Sequence, residues 1–378
     1  MKKRFITNLI QFQFSQWFSV IQWFQMLEFE VELRFPGLSE RPGVAQAGSI
    51  AYPYRVLPNE DAVWIHHYRL RARQGSLNAL ARRSEYEGVL IRHRGGHACI
   101  HPWPELGDPS LTACLADLAG PRRRAIVRRA LRCAEMDSVA REFDHSLFED
   151  LEVPASHATL PHADPKSVEA ARDAGFDRIK IKGGRNPESE TAFLCSMANE
   201  HPALRWRIDC NEAFEPAAAD AFLAAIDPTT RRAIDFVEDP CPYAEATWSR
   251  LRSAHRVPLA VDREASTLSN AAQFMVIKPA VDEPMLLAEA ALQHGQRVVV
   301  TSSMDHPLGQ AFAAWEAARL ALQMPGLVDV CGLQTHHLFE TDPFLEILGP
   351  WSPTFTVPEG NGIGFDELLE ILPWRRLS

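Results

Sequence analysis

The 378-residue sequence predicts an α/β protein: a (β/α) barrel of TIM type preceded by an N-terminal α+β capping domain. Three observations carry that prediction. From about residue 151, short apolar runs alternate with helical stretches, the pattern of parallel strands joined by crossover helices. Eight such runs follow one another, at a spacing that favours a closed barrel over a doubly wound sheet. No GxGxxG follows any of them, so a dinucleotide fold lacks its main support.

The strands are read at HATLP (157–161), RIKIK (178–182), RWRID (205–209), DFVED (235–239), LAVD (259–262), FMVIKP (274–279), RVVVTS (297–302) and DVCGL (329–333). Stretches such as PKSVEAARDAG and EPMLLAEAALQHG supply the helices between them. Residues 60–150 read differently. VWIHHYRLRAR and GVLIRHRGGHACIHPW read as strands, with a turn at Gly95–Gly96, while LTACLADL and PRRRAIVRRALRCAEM read as helices. Sheet and helix are segregated there, as in a small α+β domain. The basic run Arg122–Arg124, Arg128 and Arg129 is expected to be one solvated helix face. The division is therefore 1–59 as an unassigned extension, 60–150 as the capping domain and 151–340 as the barrel. The Pro- and Gly-rich segment 341–378 is expected to pack back on the capping domain.

With 46% hydrophobic and 23% charged residues, the composition is that of an ordinary globular protein. A formal charge of -10 argues against nucleic acid or an anionic membrane as the main partner. Seven cysteines, odd in number and without CxxC spacing, point to reduced thiols and a cytoplasmic home. Residues 1–26 start with Lys2, Lys3 and Arg4 and continue apolar, but five Gln interrupt the run and no small-residue cleavage site follows. A membrane span is not expected there, and a loosely ordered extension is favoured over an interfacial amphipathic helix. Oligomeric state is left open.

Chemistry concentrates on the strand ends. Lys180 and Lys182 share one face of their strand because side chains alternate. Inward, each ammonium disfavours the other's charge and so lowers a lysine pKa towards general-base values; outward, both would snorkel between helices. The KIK text alone leaves that choice even. Asp209, Glu238 and Asp262 then close three successive strands, at the C-terminal mouth where barrel active sites lie. From Lys182 to Asp209 is 27 residues, then 29 to Glu238 and 24 to Asp262, each about one βα unit. Three hard oxygen ligands in register suit Mg2+. Lys278 ends the following strand, across the barrel from the KxK pair.

The ordered set IKIK, RIDCN, FVEDP, AVDRE and VIKPA resembles the enolase superfamily, in its muconate-lactonizing subgroup. TSSMDHPLG, VCGLQT and PEGNGIG look most like its o-succinylbenzoate synthase family. The resemblance covers roughly residues 65–370. It implies Mg2+ (or Mn2+) held by Asp209, Glu238 and Asp262, and a small carboxylate substrate. Lys182 would be the base that takes the α-proton, giving an enediolate that loses water in a syn elimination belonging to menaquinone biosynthesis. Lys180 would tune Lys182, and Lys278 would stabilise charge from the opposite face. Ser302, Ser303 and Gly332 would bind substrate, although an ordinary strand-end turn explains the two serines equally well. N-acylamino acid racemisation, dipeptide epimerisation and muconate-type cycloisomerisation use the same constellation and stay open; CGLQT offers no DxD of the kind dipeptide epimerases carry.

Departures from the pattern are also visible. Arg263 stands where Glu is frequent, and only 16 residues separate Asp262 from Lys278, so the fifth helix is expected to be brief or absent. His97, Cys99 and His101 share a strand face with His93 nearby. Same-face neighbours sit roughly 7 Å apart, which argues for a polar strand face over a metal cluster. His336 and His337 are expected in an exposed loop.

Overall fold

The structure, a computed structural model, describes residues 62–77, 81–263 and 270–378. The readings of residues 1–26 and 27–59 fall outside those residues.

The first sheet is antiparallel and has the order β11-β1-β2-β3, from β1 (Val63–Arg71), β2 (Glu85–His93), β3 (Gly96–Ile100) and β11 (Arg375–Arg376). The β2–β3 turn is shifted one residue towards the N-terminus from the Gly95–Gly96 expected: His93 pairs with Gly96, and Arg94 and Gly95 both take positive φ (52° and 86°). Two left-handed residues in a two-residue loop match the twist of the flanking strands. Helix α1 (Leu111–Ala119) is capped by Ser110, whose Oγ accepts from the Ala113 N–H. Helix α2 (Ala125–Glu142) lies so close to β3 that a Cβ on Gly96 would run into the backbone at Ala134 and Ser138.

One expectation is corrected on α2. Arg128 is exposed, but Arg129 is buried at 4% exposure, so the basic run is not a single solvated face. One-residue spacing turns a helix by about 100°, which sends neighbouring arginines to different sides.

The second sheet is wholly parallel and follows chain order: β4 (Ala158–Leu160), β5 (Arg178–Lys182), β6 (Arg205–Asp209), β7 (Ile234–Glu238), β8 (Leu259–Val261), β9 (Phe274–Ile277) and β10 (Arg297–Val300). The connecting helices are α3 (Pro165–Asp173), α4 (Pro187–Glu200), α5 (Pro216–Ala225), α6 (Pro228–Ala233), α7 (Glu245–His255), α8 (Pro284–Gln293) and α9 (Pro307–Gln323). Several begin with one local signal. Asp164, Asn186 and Asp227 each accept helix N–H groups and are followed by Pro at the first helical position. Between β8 and β9 no helix occurs among the described residues; part of that connection, 264–269, lies outside them.

The expected eighth strand at 329–333 is not a regular strand. The segment makes isolated parallel bridges instead, Val328 to Val298 and Gly332 to Thr301 on the β10 side, and Cys331 to Ser156 on the β4 side. Seven strands therefore form a curled parallel sheet whose two edges both touch residues 328–332.

Alternation along the strands sets the layering. Phe236, Ala260, Val276 and Val299 pack together as one buried apolar layer. Glu238, Asp262 and Lys278 lie two residues further along β7, β8 and β9, so they stand one layer above it, at the C-terminal mouth.

The chain ends with α10 (Pro343–Ile347) and α11 (Asp366–Glu370) before β11 returns to β1. Asp137 of α2 is fully buried and accepts from His97 N (2.7 Å), His97 Nδ1 (3.1 Å), Arg141 Nε (2.7 Å) and Ile363 N (2.6 Å). One carboxylate thus ties sheet, helix and C-terminal segment together. Among the described residues no helix is long and apolar enough to cross a membrane.

Candidate functional site

The strand ends bring the two lysines of β5 face to face with the carboxylates of β6 and β7. Lys182 and Asp209 are register partners, as are Asp209 and Glu238, so the three lie on adjacent strands about 4.8 Å apart. The KIK pair points inward. Lys180 Nζ lies 2.7 Å from Glu238 Oε1 and 2.9 Å from Asp209 Oδ2, and Lys182 Nζ also donates to Asp209 Oδ2. Across the sheet Lys278 Nζ donates to Asp262 Oδ2.

Electrostatics separate the members of this cluster. At Asp209 burial opposes the charge, but the ammonium groups of Lys180 and Lys182 outweigh it and hold the carboxyl well below the usual range. At Glu238 burial and the neighbouring Asp209 charge prevail over Lys180, and its pKa is pushed up to about 7. Lys180 departs from the sequence reading. Burial does oppose its charge, yet Asp209, Glu238 and Asp262 together raise its pKa above the ordinary lysine value. Mutual repulsion of the two ammonium groups is outweighed by the carboxylates between which Lys180 sits. Lys278 behaves alike: burial opposes its charge and Asp262 more than restores it.

The donor set fits a hard divalent cation by its chemistry. All three carboxylates are little exposed, and Glu238 Oε2 is buried without a hydrogen-bond partner among the described residues. An orphaned carboxylate oxygen in such a place is costly unless something positive meets it. Among the described residues no three His, Cys, Asp or Glu side chains are gathered as a metal-ligand group. Here Asp209 is engaged by both Lys180 and Lys182, and Asp262 by Lys278.

Two residues that the sequence reading did not single out shape this cluster. Asn211, at positive φ, donates to Asp209 Oδ1 from both its backbone N (3.1 Å) and Nδ2 (2.8 Å). Asp239 is buried and its carboxylate accepts from the backbone N–H of Asp262 (3.1 Å) and Arg263 (3.0 Å). Both lie within the quoted RIDCN and FVEDP segments; their roles were hidden because hydrogen bonds made by backbone N–H groups leave no residue-type signal. Arg263, noted as a departure, pairs with Glu212 at 2.9 Å.

Ser302 and Gly332 are neighbours, Ser302 N donating to Gly332 O at 3.0 Å. The Ser302 hydroxyl is engaged with Thr335 Oγ1 at 2.8 Å, and the Ser303 carbonyl accepts from Trp103 Nε1 of the first sheet's domain at 2.7 Å. A Cβ on Gly332 would come within 2.9 Å of His157 Nε2, so glycine there makes room for that ring.

The histidines singled out in the sequence are buried or half-buried rather than exposed. His97 turns to Asp137, His101 Nδ1 meets the Tyr68 hydroxyl at 2.9 Å, and the Cys99 thiol points to Asp305. Three residues of one strand face thus serve three different partners. His336 is 6% exposed; His337 bridges the carbonyls of Gln334 and Thr159 and stacks on Trp351 at 4.2 Å. The exposed loop expected at these two is corrected: His336 is buried, His337 is covered by Trp351, and burial lowers their pKa to about 4 and about 3.

Comparison with known proteins adds an independent line. Residues 63–140 match the family described as o-succinylbenzoate synthase, N-terminal domain, and residues 164–368 match the family described as enolase C-terminal domain-like. The o-succinylbenzoate synthase of Bdellovibrio bacteriovorus is 30% identical over 315 residues, covering 80% of this chain and 95% of its own. That of Yersinia enterocolitica is 27% identical, covering 71% and 84%. Among solved structures, a muconate lactonizing enzyme from Pseudomonas fluorescens superposes with TM-score 0.70 at 18% identity, covering 83% of this chain and 98% of its own. An N-succinyl Arg/Lys racemase from Bacillus cereus does so with TM-score 0.70 at 16% identity, covering 84% and 99%. These two likenesses concern the fold.

Proposed function

Because the chain belongs to the enolase superfamily, as an o-succinylbenzoate synthase-like enzyme of the carbon–oxygen lyase kind, we propose that it forms o-succinylbenzoate by syn elimination of water, as a Mg2+-dependent step of menaquinone biosynthesis. The observation that carries this reading is the facing pair of lysine positions, Lys182 and Lys278, around three strand-end carboxylates with one orphaned oxygen.

Asp209, Glu238 and Asp262 would hold Mg2+ or Mn2+, and the bound ion would supply positive charge to the substrate carboxylate as negative charge develops beside it. Lys182 takes the proton α to that carboxylate. The same Nζ then returns a proton to the departing hydroxyl, which keeps both transfers on one face. Lys180, fixed between Asp209 and Glu238, acts on Lys182 as a nearby positive charge. Lys278 meets the developing negative charge from the other face. Ser302, Ser303 and Gly332 would hold a second substrate carboxylate; the Ser302 hydroxyl is free to donate there when Thr335 is the donor in their pair.

In this reading residues 60–150 cap the mouth, 151–340 form the catalytic barrel with 328–332 as its eighth stave, and 341–378 fasten the two. All seven cysteines are free, which accords with a cytoplasmic setting. The test is an assay of purified protein with the succinyl-bearing hydroxycyclohexadiene carboxylate and Mg2+. Turnover abolished by Lys182→Ala in a folded variant supports the reading. Absence of turnover by the parent, with exchange of solvent deuterium into N-acylamino acid enantiomers instead, replaces it by racemisation on the same lysines.

A further inference from the structure

Lys278 sits at the start of a tight turn, and the turn is held by a residue from the other sheet's domain. The Lys278 backbone N–H donates to Asp282 Oδ2 at 2.6 Å, and its carbonyl accepts from the N–H groups of Val281 and Asp282, both at 2.9 Å. From α2, Arg129 reaches both ends of this turn. Its Nε donates to the Pro279 carbonyl at 3.1 Å, and its Nη1 donates to Glu283 Oε2 at 3.0 Å. Nη2 is anchored on Glu316 of α9 at 2.9 Å, and Glu316 is itself only 1% exposed.

A buried guanidinium that spends its donor directions on three partners is rigid, and its planar fork fixes direction as well as distance. The residue clamped, Pro279, is the one immediately after Lys278. Arg129 does not touch the carboxylate cluster. What it controls is the backbone from which the Lys278 side chain projects toward Asp262.

We propose that Arg129 is a positioning residue for the reaction: through Pro279 and Glu283 it holds the 278–283 turn, so that docking of α2 sets where the Lys278 ammonium lies. The inference rests on the role given to Lys278 above. It assigns a catalytic consequence to a helix that contributes no group to the site, and it makes the N-terminal domain part of the geometry of the opposite-face cation.

The test is a double-mutant cycle on the full chain, read as kcat and KM with the succinyl-bearing hydroxycyclohexadiene carboxylate and saturating Mg2+, below the melting temperature of every variant. Arg129→Met is expected to lower kcat by about ten- to a hundredfold with little change in KM, the scale at which a displacement of about 1 Å acts. In a Lys278→Ala background the same change should cost almost nothing further, because the group it positions is gone. Glu283→Gln takes the charge from the half-exposed arm of the clamp while leaving an acceptor, and should show a smaller loss with the same dependence on Lys278. Should Arg129→Met fail to fold, Glu283→Gln decides alone. Equal losses in both backgrounds, or unchanged kcat in the folded variants, overturn the inference. Full turnover by Lys278→Ala alone overturns the role of Lys278 instead, a result distinct from the others.

Discussion

Lys180 and Lys182 aim their ammonium groups at one and the same oxygen, Oδ2 of Asp209. Two cations on one buried acceptor form a high-charge cluster in which removal of any member leaves the others uncompensated. The lysines are nevertheless not equivalent. Lys180 has a second partner in Glu238, while Lys182 stands at the strand's last position, nearest the mouth.

Lys182→Ala should therefore remove turnover by about 10²–10⁴-fold, the usual contribution of a positioned proton-transfer group, and leave the secondary structure intact. Lys180→Met should leave Glu238 and Asp209 less compensated and destabilise the fold as well as slow the reaction. Steady-state kinetics paired with circular dichroism separate the two outcomes.

Metal removal should abolish activity reversibly. After chelation, turnover is expected to return with Mg2+ or Mn2+. Glu238→Gln should weaken Mg2+ binding measured by calorimetry, since one charged ligand of three is lost. Asp239→Asn should weaken it to a lesser degree, because Asp239 orients Asp262 only through the backbone N–H groups it accepts.

Asp137→Ala should destabilise the protein by about 3–5 kcal/mol in chemical denaturation, the cost of breaking a buried charged network by deleting one partner. Gly362→Ala should also destabilise it. Gly362 has φ of 57°, and a Cβ there would collide with the Asp137 carboxylate.

Asp305 supplies a pH dependence of its own. It is buried beside the Cys99 thiol, and burial pushes its pKa from 3.8 up to about 7. A carboxyl with a raised folded-state pKa contributes stability that is fully present below about pH 3.8 and is lost as pH rises through about 7. Asp305→Asn should accordingly raise the melting temperature relative to the parent more at pH 8 than at pH 5. An equal effect at both pH values would remove Asp305 as the source.

Much of this arrangement was legible in the text because it depends on period and type. Strand alternation places Lys180 and Lys182 on one face, and the βα unit length spaces Asp209, Glu238 and Asp262. Asp or Asn before Pro announces a helix start at 164, 186 and 227. Other parts were not legible. Arg129 belonged to a run of similar residues, and nothing local tells the buried member from its exposed neighbours. His336 and His337 looked like loop residues because the groups that enclose them, such as Trp351 on His337, lie outside their local stretch. The 329–333 run reads as a strand by its residues, yet it makes only isolated bridges.

By itself the sequence determined which residues could do chemistry and the order in which the parallel strands present them, since both follow from side-chain type and from repeats of 2.0 and 3.6 residues. Tertiary structure alone decided how those residues are paired: Lys180 between two carboxylates, Glu238 with an oxygen unmet among the described residues, and Arg129 carried across to Pro279. Pairing depends on where distant elements meet and on how far burial strengthens each charge. Neither quantity is written in any local stretch of the chain.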